Sequence, residues 1–127
     1  MKTFRWNEGG WVADGVIHGE GDLDRFGTSV ALSESGRIVV IGADRFDSSS
    51  SAPKTGFAEV YSSDGGGNWS MVGDRILAEQ CETRTRFHAY FGRDVSVSNS
   101  GKVVAVGGRG IVCIFEWDTN EGGSGQE

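Results

Sequence analysis

Residues 26–42, FGTSVALSESGRIVVIG, return at residues 91–107 as FGRDVSVSNSGKVVAVG, a constant offset of 65 positions. Eight of the 17 aligned residues are identical, including the opening Phe-Gly, the Ser-x-Ser-Gly ahead of the apolar run and the closing glycine. A repeat of this length, with its turn residues in register, requires one supersecondary unit used more than once. The fold is therefore one in which like units stack.

Each copy reads as two strands and a tight turn. Val30 and Leu32 alternate with smaller or polar neighbours, as in a strand with two unlike faces. Ser33-Glu34-Ser35-Gly36 and Ser98-Asn99-Ser100-Gly101 supply the turn. Ile38-Val39-Val40-Ile41 and Val103-Val104-Ala105-Val106 follow as continuous apolar runs, the signature of a strand covered on both faces. A third strand comes next, Phe57 to Tyr61 in one copy and Ile111 to Phe115 in the other. The offset there falls to 54, so the second copy has 11 fewer residues between its second and third strands. Ser62 to Asn68 form a turn, and Trp69 to Val72 a fourth strand.

The N-terminus is a partial copy of the same unit. Phe4-Arg5-Trp6 matches Phe115-Glu116-Trp117, and Trp11 to Gly15 matches Trp69 to Gly73. The pattern predicts nine strands in one domain, 1–121: a partial unit (1–20), a full unit (21–79) and a three-stranded unit (80–119). Residues 122–127 have the composition of a flexible linker tail. Arg75 to Glu82 lacks apolar partners at helical spacing. The predicted fold class is all-β, built of antiparallel four-stranded units of the propeller-blade kind, about two blades plus an extra strand.

Composition narrows the function classes. Twelve basic and 18 acidic residues leave a net charge of −6, which disfavours a whole-surface attraction to nucleic acid or anionic membrane. No apolar run reaches the roughly 18 residues of a membrane helix, and Met1 to Trp6 lead directly into polar glycines without a signal-peptide core. Cys81 and Cys113 are too few and too far apart to read as a disulfide framework.

Asp24-Arg25-Phe26-Gly27-Thr28-Ser29-Val30-Ala31-Leu32-Ser33, then Val40-Ile41-Gly42-Ala43, then Val60-Tyr61, resembles an FG-GAP repeat. Such repeats build the β-propeller of integrin α subunits and occur in many bacterial and algal surface proteins. The resemblance spans Phe4 to Trp117. It implies a non-catalytic platform for protein or glycan contacts, outside the cell or at its surface. Two departures stand out. The Ser33–Gly36 and Ser98–Gly101 turns are too short and too poor in carboxylates for a calcium loop, so no cofactor or metal is carried over. The second copy has Ala89-Tyr90 where the first has Asp24-Arg25.

A closed propeller takes typically four to eight blades, and this chain supplies two and a fraction. Lone units leave sheet faces bare, including strand positions Ile38, Val40, Val103 and Ala105. Of three solutions, self-association of two, three or four copies into a ring is favoured, a compact β-sandwich is the main rival, and a place within a longer protein is the third. Antiparallel parity puts the two most irregular connections on one end of every unit. That end carries Asp44, Arg45, Asp47, Arg84, Arg86 and His88, the predicted binding surface for a protein or glycan. The plain alternative is a set of solvated loops with no partner.

Other features have simpler readings. The basic and aromatic run Arg84 to Arg93 suits repeat core and charge balance better than nucleic-acid stacking, given the net charge. Trp6 with Trp117, and Trp11 with Trp69, recur in register, which suits packing between units better than a sugar platform. His18 and His88 stand outside any metal or catalytic spacing. The expectation is a non-enzymatic module for recognition and self-assembly. A purely structural assembly unit, natural or engineered, is the alternative, and a propeller glycoside hydrolase is disfavoured by the mixed sign of the loops.

Overall fold

The computed structural model describes residues 1–19, 25–46, 55–80 and 90–118, the side chains of residues 45, 46 and 55 excepted. The described chain is all-β. Its strands are β1 (Lys2–Asn7), β2 (Gly10–Val16), β3 (Phe26–Leu32), β4 (Ile38–Phe46), β5 (Thr55–Ser63), β6 (Trp69–Met71), β7 (Ile76–Leu77), β8 (Asp94–Val97), β9 (Val103–Gly108) and β10 (Ile111–Glu116). The short β7 and a single 3-10 turn, Ala78–Gln80, are additions to the nine expected strands.

The strands pair antiparallel in three sheets. β1 and β2 form a hairpin, β3-β4-β5-β6 run in sequence with β7 also on β5, and β10-β9-β8 make the third sheet. β3–β4, β5–β6 and β8–β9 pair across short turns of the Ser-x-Ser-Gly and Asp-Gly-Gly type.

The sequence repeat is also a repeat of conformation. Arg25 and Tyr90, one residue ahead of each Phe-Gly, both have φ 61°, and the glycines two residues on have φ 94° and 97°. Left-handed backbone costs a non-glycine residue about 1 kcal/mol or more, so its recurrence at one position marks a shared template. The turns agree atom for atom. Ser33 Oγ accepts from the Ile38 amide at 3.1 Å, and Ser98 Oγ from the Val103 amide at 3.1 Å. The Gly36 and Gly101 amides donate to the Ser33 and Ser98 carbonyls at 3.0 and 2.9 Å.

The sheets stack with the five-stranded sheet in the middle. Pairing of Val40 with Val60 and of Gly42 with Ala58 sets one face of it. Ile38, Val40, Ala58, Val60 and Ile76 on that face pack with Phe91, Val104 and Val106 of the third sheet's unit. Val39 and Ile41, pointing the other way, pack with Ile17, Met1, Phe26, Tyr61 and Trp69. The expectation that Ile38 and Val40 stand bare is therefore corrected: β8 and β9 of the same chain cover them. The joint is tight. Ser29 Oγ donates to the Gly92 carbonyl at 2.8 Å, and a Cβ at Gly42 or Gly56 would collide with the Gly92 or Phe91 carbonyl. Layered antiparallel sheets of this kind suit propeller blades and a compact sandwich alike.

Two further ties sit at equivalent third-strand positions. Glu59, buried under the hairpin side, accepts from Tyr61 Oη at 2.6 Å and pairs with Arg75 Nε at 2.8 Å. Its counterpart 54 residues on is Cys113, which is disulfide-bonded. The only other cysteine of the sequence, Cys81, lies outside the described residues.

Candidate functional site

At one end of the strands the β3 and β8 entries meet the exits of β4 and β9. Phe26 pairs with Ala43 and Asp94 with Gly107, so Arg25, Asp44, Tyr90, Arg93 and Arg109 all lie at this end. Asp44 is the one predicted binding residue whose side chain is described. Asp47, Arg84, Arg86 and His88 lie outside the described residues, as does the side chain of Arg45.

Asp44 is not a solvated loop residue. Its side chain is 1% exposed and its carboxylate sits between the guanidinium groups of two arginines whose side chains are each 46% exposed. Arg25 Nε lies 3.4 Å from Oδ1 and Arg93 Nε 3.6 Å from Oδ2. Neither carboxylate oxygen accepts a hydrogen bond. Arg93 also stands over the Tyr90 ring at 4.3 Å, and Arg109 approaches the same ring at 5.3 Å. Both contacts are of cation–π type. Three guanidinium groups are thus linked through one buried carboxylate and one ring.

Sequence reasoning missed Arg25, Arg93, Arg109 and Tyr90 as a group. The signal was present but split between copies. Arg25 precedes the first Phe-Gly and Arg93 follows the second, so neither is repeated, and Tyr90 occupies the position of Arg25 in the second copy. The Asp24-Arg25 departure now has a partial explanation: Arg25 neutralises Asp44, and Arg93 reaches the same carboxylate from the other unit.

The two ends of the stack form the second candidate surface. On the outer face of the third sheet, Val112 and Ile114 are 71% and 70% exposed. At the other end, Phe4, Trp6 and Trp11 are exposed on the hairpin, with Trp6 and Trp11 in edge contact at 5.2 Å. Their counterparts Phe115, Trp117 and Trp69 are partly buried against core clusters, so the inter-unit packing expected of the tryptophans holds for only two of the four. A cavity of about 430 Å³ opens beside β10, the edge strand of its sheet, and is lined by Val60, Val72, Ile76, Val104, Ile114 and Trp117 among others. Among the described residues, no three His, Cys, Asp or Glu side chains are grouped to hold a metal ion. No family model matches the sequence, and no curated protein is significantly similar to it.

Proposed function

We propose that this chain is a non-catalytic repeat module of the FG-GAP-like propeller kind, which stacks end to end with copies of itself and presents its loop end to a partner. The observation that carries the reading is a mismatch between equivalent positions. Ala58 and Val60 are 0% and 5% exposed beneath the third sheet, whereas Val112 and Ile114, at the same positions one unit on, are 71% and 70% exposed. The fold contains the cover for such a face once and lacks it the second time.

The two bare ends are of complementary type. Phe4 and Trp6 match Phe115 and Trp117, which lie on the face that the third sheet turns towards the middle sheet. Val112 and Ile114 match Ala58 and Val60, which receive that face. The internal joint is thus a template for a head-to-tail contact between copies, which closes a ring or extends a filament. Two, three or four copies would supply the four, six or eight blades of an ordinary propeller. Burying each such Val or Ile side chain is worth about 1.5–3 kcal/mol. The disulfide at Cys113 fits an oxidising compartment, in keeping with a surface or extracellular setting.

The test uses two variants, each blocked at one end. Trp11→Glu alone and Ile114→Glu alone are each expected to be monomers. An equimolar mixture is expected to give a one-to-one dimer through the two intact ends. A mixture that stays monomeric contradicts the reading.

A further inference from the structure

The loop end holds a charge arrangement that packing does not require. Burying a carboxylate without hydrogen bonds is costly, and Asp44 is buried with neither oxygen accepting one. Its two ion-pair contacts, at 3.4 and 3.6 Å, come from Nε atoms. Each of these two guanidinium groups therefore keeps its terminal amino groups for another partner, and each arginine side chain is about half exposed. Tyr90 adds a third cation by holding Arg109 near Arg93. Counted over these groups alone, three arginines and one aspartate leave a formal charge of +2, within a chain of net −6.

We propose that Arg25, Arg93 and Arg109, organised by Asp44 and Tyr90, form a binding site for a compact oxyanion: the carboxylate or sulfate group of an acidic saccharide, or the same group as a free ion. Guanidinium forks match two oxygens of such a group and hold it by charge-assisted hydrogen bonds. Asp44 acts as a positioning residue, facing the Nε edges of two arginines inward and their outer edges to solvent. The left-handed backbone of Arg25 and Tyr90 places strained positions within the cluster, where strain tends to accompany function. Local charge of +2 within a net −6 surface favours one compact anion over an extended polyanion, which the rest of the molecule repels. The proposal supplies the ligand chemistry for the loop end in the reading above and rests on that part of it, not on end-to-end stacking.

The experiment is a titration of the isotope-labelled full chain with sodium sulfate, sodium glucuronate and a sulfated disaccharide, at constant ionic strength with chloride as the control. Backbone and arginine Nε resonances report binding, and light scattering on the same samples reports assembly separately. Saturable shifts centred on Arg25, Arg93 and Arg109 are expected, weakened at least fivefold in Arg109→Ala, whose described contact is with Tyr90 only. Arg93→Lys, which keeps the charge but loses the fork, is expected to weaken binding as well. Stronger binding of both sugars than of sulfate assigns the saccharide as the source, and equal binding assigns the free ion. Absence of saturation with all three anions, an Arg109→Ala affinity equal to that of the parent, or saturation by a single-stranded oligonucleotide alone overturns the proposal.

Discussion

The two joints of the stack are built from equivalent residues and end up in different states. Between the middle and third sheets, Phe91 is fully buried, and Val95 and Val97 of β8 pack into the core. Between the hairpin and the middle sheet, Phe26 is only partly buried, and Val30 and Leu32 of β3 are 55% and 59% exposed. Val30 and Leu32 are the counterparts of Val95 and Val97 at the offset of 65. The side chains are nearly the same, so the difference lies in what the neighbour supplies. β8 packs over β3 and β4, the first two strands of a full unit. The hairpin comprises only third and fourth strands, so among the described residues its unit has no counterpart of β8 to cover Val30 and Leu32. Burial in a stack of repeats is a property of the neighbouring unit more than of the residue itself.

The largest expected effect tests that statement directly. Phe91→Ala should cost about 3–5 kcal/mol, as for a fully buried phenylalanine. Phe26→Ala should cost less than about 2 kcal/mol, because part of its ring stays in water. Urea midpoints followed by tryptophan fluorescence measure both, and equal shifts would break the comparison.

The third-strand pair Glu59 and Cys113 sharpens it. At the same repeat position the middle sheet's unit carries an internal buried ion pair and the third sheet a disulfide-bonded cysteine. Glu59→Ala removes the buried acceptor of Arg75 and Tyr61 and should cost about 3 kcal/mol. Cys113→Ala should cost about 2–4 kcal/mol. Only the second loss is expected to be reproduced by adding a reductant to the parent protein, with the same unfolding midpoint as the readout.

A smaller effect is expected from the paired substitutions Val30→Thr with Leu32→Gln. Exposed positions of this kind usually move stability by no more than about 0.5 kcal/mol. The same exchange at Val95 and Val97 should cost several times as much, and thermal unfolding of dilute samples compares the two. Smallest of all is a pH effect in the turn between β5 and β6 of the middle sheet. The Asp64 carboxylate accepts from the Asn68 side chain at 2.9 Å and from the Gly66 and Asn68 amides at 2.7 and 3.3 Å. These bonds, the Asn68 side chain first, hold its pKa below the ordinary 3.8. A lowered folded-state pKa gives a contribution that is present above 3.8 and lost as pH falls through the lower folded value. Asn68→Ala should therefore cost a little stability at neutrality and flatten the acid limb, the variant and the parent converging at the lowest pH, as urea midpoints followed against pH would show.

Most of the strands were legible in the sequence because period-2 alternation and turn chemistry are local. Ser33 and Ser98 cap their turns with the same bonds, and that repetition is what the aligned letters record. β7 escaped because two residues, Ile76 and Leu77, carry no period. The cover over Ile38 and Val40 escaped for a different reason: a count of units gives the number of bare faces but not which joints the chain closes by itself. At the loop end, Asp44 was legible as a residue beyond an apolar run, but its burial was not. That burial depends on Arg25 and Arg93 arriving from two different units, a contact 49 residues apart in sequence for one of them, with no local trace.

End-to-end stacking requires that the apolar outer faces left uncovered among the described residues be covered by a second copy. Light scattering of the parent chain over a hundredfold range of concentration tests it. A mass at or approaching two, three or four times that of one chain, returning to a single chain in Ile114→Glu, is the predicted result. A folded parent that stays at the mass of one chain throughout would contradict it.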